Sequence, residues 1–574
     1  MYLLIILFLA LSSSLSYSQQ VSNWQNYTDM KNVKSLVING SLIWGASDGG
    51  AFSYNINNNS YNKYSKVDGL NGVSITAAAI DQYGKVWFGS SNGIIDVYDP
   101  QTNSFRSILD IFNNTDKNSK VINELAASGD TIFVSSDFGI SLINASNYLF
   151  FDTFSKFGEL PSNISVNSII NSGVIYACTD LGIAIQKAGS TNLSAPKSWN
   201  VYRTVNGLPS DSAVKIVLFN NSIIAATSKG LASFDGSSWT VFTDQFNNIL
   251  VNDIIVIGDS LFIISEKQNI SKYYNGILTP VYSSPEKNLF KLNYSSQGIL
   301  AATSKGIYRV SDGTYFFPNG PFANLFPDIE VDNNGVLWSA SGTDGPGVGY
   351  YKYNGIDWSN FNISTTPELS TNSYFNLYID ETNTTYLGSW GRGFTIIKNG
   401  SILNFNAANT GMQGEDNDPN YLVIGGFAKD SKNNIWVLNY GAIDRKNLTK
   451  SSNLEQWDSY PISAIDRYVD ESFHLVVDQY DTKWFAVQRE KQGLFYFNEG
   501  SNPDPSVTSD DVSGYLNESS GLNNNFVIAI AVDRRGDVWV GTSLGVNIIS
   551  NVSSALSGNP QLRISSVFSL RQQT

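Results

Sequence analysis

The sequence Val532-Asp533-Arg534-Arg535-Gly536-Asp537-Val538-Trp539-Val540-Gly541 recurs along this 574-residue chain, and the recurrence indicates the fold. Its best-matched copy is Ile80-Asp81-Gln82-Tyr83-Gly84-Lys85-Val86-Trp87-Phe88-Gly89. Related copies lie at residues 331–338, 430–436 and 478–484. Self-similarity at a regular spacing is the signature of repeat architectures, so the repeating unit has to be interpreted first.

Each copy has the pattern of a strand, a turn and a second strand. A β-branched run is followed by an Asp-x-x-Gly or Asn-rich turn, in which Asp bonds back to the backbone and Gly adopts a positive φ. The second strand centres on an aromatic residue, and another Gly turn leads to a third strand. A fourth strand commonly reads Trp-x-x-aromatic, as at residues 199–202, 239–242, 358–361 and 457–460. Four antiparallel strands per unit predict a β-propeller blade.

One large apolar position of the second strand can be followed through the whole chain. Its members lie about 38 to 55 residues apart, which is the range of propeller repeats. We expect these side chains to pack between neighbouring blades rather than to bind a ligand. They are Ile43, Trp87, Phe133, Tyr176, Ile224, Phe262, Leu300, Trp338, Tyr386, Trp436, Trp484 and Trp539.

The unit count predicts two consecutive propellers in an all-β protein. Seven units run from Val33 to about Gly320, and five more run from Phe326 to about Ser550. We therefore predict a seven-bladed propeller over residues 19–320 and a second propeller over residues 321–574. About five blades of the second propeller are present, and we expect it to be C-terminally truncated; a natural five-bladed end is the alternative.

The first ring needs a closure, because an open ring would expose a blade face and a strand edge. Trp24-Gln25-Asn26-Tyr27 matches the fourth-strand pattern. We expect it to pair as the outermost strand of the seventh blade, beside residues 306–310. In the alternative, the segment at residues 315–317 completes that blade itself and the N-terminal segment is a loose arm.

The N-terminus and the composition predict an exported protein that does not bind nucleic acid. The apolar run Met1-Tyr2-Leu3-Leu4-Ile5-Ile6-Leu7-Phe8-Leu9-Ala10 is too short to span a bilayer, and small residues precede Gln19, so residues 1–18 have the pattern of a signal peptide. No other segment is apolar enough to cross a membrane. The single cysteine, Cys178, allows no internal disulfide, which favours a bacterial periplasm or cell surface. A net charge of −14 would repel a phosphate backbone.

Residue types with catalytic or metal-binding chemistry are scarce. His474 is the only histidine and no nucleophile elbow accompanies it, so we interpret it as structural and predict no catalytic residue. We interpret Cys178 as a small buried hydrophobe. A zinc site has no ligand set, and each Asp-x-x-Gly turn offers a single carboxylate, so we predict neither a metal nor a cofactor.

One group of residues favours ligand binding. Lys229, Lys305 and Arg392 fall in the Gly turn after the second strand, and corresponding turns of a propeller emerge on one face. Trp390 lies beside Arg392 and outside the repeated aromatic position, so the core does not require it. Basic groups with an adjacent aromatic suit phosphate or sugar recognition. The alternative is that all four are solvated turn residues, and the lysines and Arg392 belong to different predicted propellers.

The unit resembles the two-component regulator propeller repeat. Five segments within the first 190 residues or so carry a narrower resemblance: Val67-Asp68-Gly69-Leu70, Asn92-Gly93-Ile94-Ile95-Asp96-Val97-Tyr98, Val121-Ile122-Asn123-Glu124-Leu125, Ser136-Asp137-Phe138-Gly139-Ile140 and Phe151-Asp152-Thr153-Phe154. Through these segments this part of the chain resembles the N-terminal propeller of the PorZ family of type IX secretion proteins. This resemblance implies two propellers and a C-terminal sorting domain that this sequence lacks. It also implies binding of anionic lipopolysaccharide and contact with the sortase that attaches it to secreted cargo.

The sequence therefore favours a non-enzymatic binding or scaffold protein of the Gram-negative cell envelope. Its expected partners are an anionic glycolipid or polysaccharide and a sortase-type envelope protein. Two alternatives stay open: the extracellular sensor propeller of a hybrid two-component receptor, and a polysaccharide-active enzyme whose carboxylates meet in the propeller channel.

Overall fold

The structure, a computed structural model, describes residues 25–415, 417–465, 472–488 and 492–557, together with the backbone of residues 564–569. The chain divides into two compact units, Met1–Gly320 (unit 1) and Pro321–Thr574 (unit 2). Each unit is a series of four-stranded antiparallel groups, two of which are joined into one sheet in unit 2, so the prediction of consecutive β-propellers in an all-β protein is confirmed. We number the groups blade 1 to blade 12 in chain order.

Seven blades belong to unit 1 in the described residues, and strands follow one another from the first to the fourth in each. The strands are β1 Val33–Asn39, β2 Leu42–Ser47, β3 Gly50–Asn55 and β4 Ser60–Tyr64 (blade 1); β5 Ile75–Ile80, β6 Val86–Ser90, β7 Ile95–Asp99 and β8 Ser104–Ile108 (blade 2); β9 Ile122–Ser128, β10 Thr131–Ser136, β11 Gly139–Asn144 and β12 Phe150–Phe154 (blade 3); β13 Val166–Asn171, β14 Ile175–Thr179, β15 Gly182–Gln186 and β16 Trp199–Tyr202 (blade 4); β17 Ala213–Phe219, β18 Ser222–Thr227, β19 Gly230–Phe234 and β20 Trp239–Val241 (blade 5); β21 Val251–Ile257, β22 Ser260–Ser265, β23 Asn269–Tyr274 and β24 Ile277–Ser283 (blade 6); β25 Leu289–Ser295, β26 Gly298–Thr303, β27 Gly306–Arg309 and β28 Tyr315–Phe316 (blade 7).

Five blades belong to unit 2 in the described residues. The strands are β29 Ile329–Val331, β30 Leu337–Ala340, β31 Tyr350–Tyr353 and β32 Trp358–Phe361 (blade 8); β33 Tyr374–Ile379, β34 Thr385–Gly391, β35 Phe394–Lys398 and β36 Ser401–Phe405 (blade 9); β37 Leu422–Lys429, β38 Ile435–Asn439, β39 Leu448–Ser451 and β40 Asp458–Tyr460 (blade 10); β41 Ser472–Val477, β42 Lys483–Val487, β43 Gly493–Asn498 and β44 Val512–Leu516 (blade 11); β45 Val527–Val532, β46 Val538–Thr542, β47 Gly545–Ile549 and β48 Ile564–Ser569 (blade 12).

Helices in the described residues are confined to short segments of three to six residues between strands. The α-helical turns are α1 Asp110–Asn113 and α2 Ala407–Thr410, and the 3-10 turns are Lys66–Asp68, Pro196–Ser198, Thr204–Asn206, Asp244–Phe246, Ile443–Arg445, Glu518–Ser520 and Val552–Ser557.

The recurring Asp explains why the repeat folds as it does. Asp81 Oδ1 accepts hydrogen bonds from the backbone N–H groups of Tyr83 and Lys85, each over 2.9 Å, and Gly84 takes the φ of 78° that the turn requires. The second oxygen, Asp81 Oδ2, accepts the indole N–H of Trp87 over 2.8 Å. The Asp residue therefore shapes the hairpin and fixes the buried indole. The same Asp–Trp bond recurs in Asp332–Trp338, Asp430–Trp436, Asp478–Trp484 and Asp533–Trp539.

The repeated second-strand position packs between blades, as predicted. Ten of its twelve members are buried, whereas Tyr176 and Trp539 are half-buried. In unit 1 the described residues form seven apolar clusters, one at each contact between neighbouring blades. The seventh cluster joins blade 7 to blade 1 and includes Leu36, Phe52, Leu300 and Phe316. Because every blade has two neighbours, the ring of unit 1 is closed.

The prediction that an N-terminal strand closes this ring is wrong. The edge beside Gly306–Arg309 is occupied by Tyr315–Phe316, which pairs Phe316 with Ile307. Trp24 lies outside the described residues, and Gln25 to Tyr27 belong to no strand. The chain instead contributes Met30, which is 3% exposed inside the cluster between blades 7 and 1. Burial of an apolar side chain, and not an added strand, is the N-terminal contribution to closure.

Unit 2 differs from unit 1 in how its end blades are covered. In the described residues its five blades enclose four apolar clusters, one between each consecutive pair. None joins blade 12 to blade 8 in that part of the chain. The first strands of these two blades expose Ile329 (54%), Val331 (59%) and Ile528 (47%). We call the uncovered apolar side chains of these two first strands the apolar seam of unit 2.

Candidate functional site

Lysines occupy corresponding turns in three consecutive blades of unit 1. The turn between the second and third strands places Lys229 in blade 5, Lys267 in blade 6 and Lys305 in blade 7, and all three are exposed. We call them the lysine arc. Because the turns correspond, the arc lies on one face of the unit. Lys305 Nζ contacts Glu286 Oε1 at 2.7 Å, whereas no carboxylate of the described residues lies within 4.0 Å of the Lys229 or Lys267 ammonium.

The same turn is acidic and structurally engaged in blades 3 and 4. Asp180 Oδ1 accepts the Asn167 amide N–H over 2.8 Å, and that amide also donates to the Ala213 carbonyl of the next blade over 2.9 Å. Asp137 makes the equivalent bond with Asn123 over 3.0 Å. These aspartates thus orient asparagine amides that bond to the next blade, while the lysines at the matching turns of blades 5 and 6 make no such contact through their side chains.

Trp390 and Arg392 lie at the end of β34 in unit 2, whereas Lys229 and Lys305 lie in unit 1. Arg392 is exposed in the turn between β34 and β35, and its backbone N–H donates to Ser389 Oγ over 3.0 Å. Trp390 is half-buried, and residues 390–391 extend β34 until it pairs with β37 of blade 10. The expectation that Trp390 has no packing role is therefore wrong.

Trp390 belongs to a closed set of four aromatic rings in unit 2, which we call the aromatic quartet: Phe375, Trp390, Tyr440 and Phe473. Its ring centroids lie 5.2 Å apart for Phe375–Trp390, 5.5 Å for Trp390–Tyr440, 5.3 Å for Tyr440–Phe473 and 5.6 Å for Phe375–Phe473. Edge-to-face and tilted pairs at such spacings are stabilising. Three of the rings are only partly buried, so the quartet has an accessible side.

Two rings of the quartet, Phe375 and Phe473, also line a central cavity of about 430 Å³ in unit 2. First strands from all five blades contribute to its wall, because Glu330 comes from blade 8 and Ile530 from blade 12. Gly425 and Gly426 let two of these strands approach closely, since a Cβ at Gly425 would lie 1.9 Å from the Ser472 carbonyl oxygen. The cavity is therefore assembled from residues far apart in sequence.

Uncompensated carboxylates give this cavity its electrostatic character. Asp328 accepts the backbone N–H of Leu377 over 2.8 Å and that of Ile329 over 2.9 Å. Burial nevertheless raises the pKa of Asp328 to about 6, and it also raises the pKa of Glu330. In the described residues no ammonium or guanidinium group lies within 4.0 Å of either carboxylate.

His474 faces the same cavity. The prediction of a structural histidine does not describe it, because its residue is exposed and its backbone takes φ 61° in β41. Its imidazole makes no hydrogen bond within the described residues. Although the residue is exposed, partial withdrawal of the imidazole from water lowers the pKa of His474, so the ring is neutral at pH 7 and supplies one donor and one acceptor.

In unit 1, by contrast with the cavity of unit 2, acidic and basic residues both occupy the first strands of the blades. Equivalent positions hold Glu124, Lys215, Asp253 and Lys291 in blades 3, 5, 6 and 7. Glu124 is ion-paired with Lys215 and accepts the Ile169 N–H over 3.0 Å, so it ties three blades together. Burial opposes ionisation of Glu124, but Lys215 holds the pKa of Glu124 below its usual value. We interpret this network as a structural connection between blades.

The structure also shows the surroundings of Cys178 and of the side chains that could bind a metal. Cys178 is fully buried in the cluster between blades 4 and 5, and burial raises the pKa of its thiol. Across the described ranges, no group of three or more His, Cys, Asp and Glu side chains is arranged to hold a metal ion. No helix of the described part is long and apolar enough to cross a membrane.

Comparison with known families supports the resemblance predicted from the sequence. Residues 43–200 match the family described as "TSS9, PorZ, N-terminal beta-propeller domain", and residues 521–543 match "Two component regulator propeller". Both predicted resemblances are therefore confirmed over those residues. No curated protein shows a significant match to the chain.

Among solved structures, the chain is similar to PorZ of Porphyromonas gingivalis, described as an essential bacterial surface component of the type-IX secretion system. The TM-score is 0.80 at 19% identity, and the match covers 94% of this chain and 75% of that chain. The extracellular domain of a putative hybrid two component system from B. thetaiotaomicron matches with a TM-score of 0.41 at 16% identity, covering 94% of this chain and 77% of that chain. At these identities the PorZ structure shows the fold alone.

Proposed function

We propose that this chain is a non-enzymatic binding protein of the Gram-negative cell envelope that acts in type IX secretion. In this proposal it is exported to the periplasm or outer surface, binds an anionic glycolipid or polysaccharide and presents it to a sortase-type envelope protein. The match of residues 43–200 to the PorZ N-terminal propeller supports the secretion role. The lysine arc is the observation that carries the choice of ligand.

The arc suits an anionic ligand because two of its three ammonium groups, those of Lys229 and Lys267, have no ion pair in the described residues. Lys229 and Lys267 present exposed ammonium groups from adjacent blades, and each can donate three hydrogen bonds to phosphate or carboxylate oxygens. The whole chain carries a net charge of −14, so an anion is attracted only where local charge is reversed. Binding through the arc should therefore be local and sensitive to salt.

Arg392 and Trp390 form a separate candidate contact within unit 2 in this proposal. A guanidinium can hold a phosphate through two parallel hydrogen bonds, and Arg392 is exposed for it. The accessible side of the aromatic quartet offers Trp390 as a neighbouring apolar surface for a sugar ring. Lys305 contributes less than its neighbours, because Glu286 already holds its ammonium.

The apolar seam of unit 2 concerns the architecture and not the ligand. We propose that it is the place where further β-sheet completes the second ring. This is supported by unit 1, in which every blade face is covered by a neighbour, and by the exposed Ile329 and Ile528 of blades 8 and 12.

An extracellular sensor propeller is the second candidate, favoured by the match of residues 521–543 to the two-component regulator repeat. The two functions predict different forms of the ligand. A sensor should recognise a diffusible ligand in free solution, whereas the leading proposal requires retention on a surface that displays the glycolipid.

The direct test is cosedimentation of the purified chain with lipid vesicles. We expect retention on phosphatidylcholine vesicles that contain a phosphorylated lipopolysaccharide at about 50 mM NaCl, and loss of retention at about 500 mM NaCl. Vesicles of phosphatidylcholine alone are the control. No retention at either salt concentration, or equal retention on the control vesicles, would contradict the proposal.

A further inference from the structure

The central cavity of unit 2 has a chemistry opposite to that of the lysine arc. Its wall holds Asp328 and Glu330 on blade 8, and their carboxylates have no cationic partner within 4.0 Å in the described residues. Lys429 also lines the cavity, but its ammonium is held by Asp380 at 2.7 Å and by Glu381 at 3.3 Å. Asp328 is partly buried and Glu330 is exposed. A carboxylate that is partly withdrawn from water and has no counter-ion favours a nearby positive charge, so this side of the cavity attracts cations.

Aromatic rings form another part of the wall. Phe375 and Phe473 lie with their centroids 5.6 Å apart and border the cavity, and Trp390 packs behind Phe375 at 5.2 Å. Ring faces attract an ammonium group placed within about 6 Å of their centroids, and the attraction strengthens when water is excluded. Carboxylates and aromatic rings that line one cavity are the combination that recognises organic cations rather than bare metal ions.

His474 does not supply the missing charge. Its imidazole is neutral at pH 7 because partial withdrawal from water lowers its pKa, and the ring makes no hydrogen bond in the described part of the chain. It therefore offers a ligand one hydrogen-bond donor or acceptor without repelling a cation. Its backbone stays at φ 61°, a conformation that costs a non-glycine residue about 1 kcal/mol or more.

We propose that the central cavity of unit 2 binds a primary ammonium group, with Asp328 and Glu330 as counter-ions and Phe375 and Phe473 as walls. The volume of about 430 Å³ admits an alkylammonium chain or the side chain of a lysine. A free amine and a protein lysine share this chemistry. The site is independent of glycolipid binding by unit 1.

The experiment is isothermal titration calorimetry with the whole chain. The probes are n-butylammonium chloride, a blocked pentapeptide with one central lysine, the uncharged isostere 1-butanol, and calcium chloride, all at equal ionic strength. We expect butylammonium to bind and 1-butanol not to bind. Binding of the pentapeptide as well assigns the site to a protein lysine, and binding of butylammonium alone assigns it to a free amine.

Variants locate the site. Asp328→Asn and Glu330→Gln should each weaken butylammonium binding about tenfold, and together they should abolish it. Glu455→Gln removes one exposed negative charge of unit 2 outside the cavity lining and should leave binding unchanged. Glu330→Gln is the safer variant for folding, because the Asp328 carboxylate accepts two backbone N–H groups, including that of Leu377 in the neighbouring blade, and the thermal midpoint checks both.

Four outcomes would overturn the proposal: no heat with butylammonium, equal binding of 1-butanol, binding that survives the double variant, or tighter binding of calcium that is lost in the same variants. The last would identify a divalent cation site. Failure of vesicle retention, by contrast, would leave these titrations unaffected, so the two proposals fail separately.

Discussion

The side-chain amide of Asn293 donates a hydrogen bond to the backbone carbonyl of Leu36 over 3.1 Å, and so connects the first strand of blade 7 to the first strand of blade 1. These residues are 257 positions apart in the chain. The same kind of bond joins Asn123 to the Val166 carbonyl over 3.1 Å between blades 3 and 4. Closure of unit 1 therefore uses the device that holds consecutive blades together.

Met30 tests how the N-terminal segment contributes to this closure. We expect Met30→Ala to lower the free energy of unfolding of unit 1 by about 2–4 kcal/mol, because it opens a cavity in the cluster between blades 7 and 1. Urea unfolding followed by tryptophan fluorescence measures the change. Val205→Ala is the control, since Val205 is 88% exposed. Equal effects of the two substitutions would mean that the segment does not hold the ring.

Comparison of these elements with the sequence shows what local patterns predict. The blade repeat was predictable because Asp81 and Trp87 shape one hairpin through bonds within six residues. Ring closure was not, because Trp24-Gln25-Asn26-Tyr27 and the segment ending at Phe316 carry similar patterns, and only the fold decides which segment reaches β27. Periodicity predicts strands, whereas the pairing of distant edges depends on the assembled ring.

The candidate sites likewise divide into residues that a local sequence pattern predicts and residues that only the assembled fold brings together. Lys229 and Lys305 were predictable because a Gly follows each of them in the turn. Lys267 was missed because its turn continues with Gln268, although an alignment of the blades by their second strands would have found it. The cavity of unit 2 was missed entirely, since Asp328 and His474 meet only when five blades surround one space.

A buried ion pair in unit 2 predicts a large loss of stability. The Lys483 side chain is completely buried, is ion-paired with Glu499 and lies 3.9 Å from the centroid of the Trp436 ring. Glu499→Gln should lower the free energy of unfolding of unit 2 by about 3–5 kcal/mol, because it leaves Lys483 and the nearby Lys450 without a counter-ion. Urea unfolding provides the measurement.

Lys483→Met is the matched comparison for that ion pair. It should cost less than Glu499→Gln, since Glu499 keeps Lys450 at 3.9 Å and the methionine stays apolar against Trp436. If Lys483→Met proved the more damaging substitution, the pair would stabilise unit 2 by direct attraction, and the desolvation argument would be refuted.

Asp328 predicts a pH dependence of stability. Its pKa of about 6 in the folded chain lies above the value of 3.8 for an unperturbed carboxyl, so the folded state holds a proton that the unfolded state releases. This contribution is fully present below about pH 4 and is lost as the pH rises to about 6. Asp328→Asn should therefore stabilise unit 2 by about 2 kcal/mol at pH 7.5 and by little at pH 4. Thermal unfolding at both pH values checks it, and equal effects at the two would refute the assignment.

The apolar seam predicts accessible hydrophobic surface in the chain as it stands. We expect the dye 1-anilinonaphthalene-8-sulfonate to bind and its fluorescence to fall in the double variant Ile329→Ser, Ile528→Ser. The thermal midpoint should stay unchanged, because both side chains are about half exposed. A lowered midpoint would show that the two faces are packed in solution.

The central claim is that the lysine arc binds an anionic glycolipid, and affinity for vesicles containing a phosphorylated lipopolysaccharide tests it most directly. Lys229→Gln with Lys267→Gln should weaken binding at least tenfold, as two lost phosphate contacts would. The matched control, Lys187→Gln with Lys197→Gln, removes two exposed charges from the connection between the third and fourth strands of blade 4, at the opposite strand ends. We expect its affinity to stay within about twofold of the unmodified chain. Equal losses in the two variants, or no loss in the first, would contradict the account.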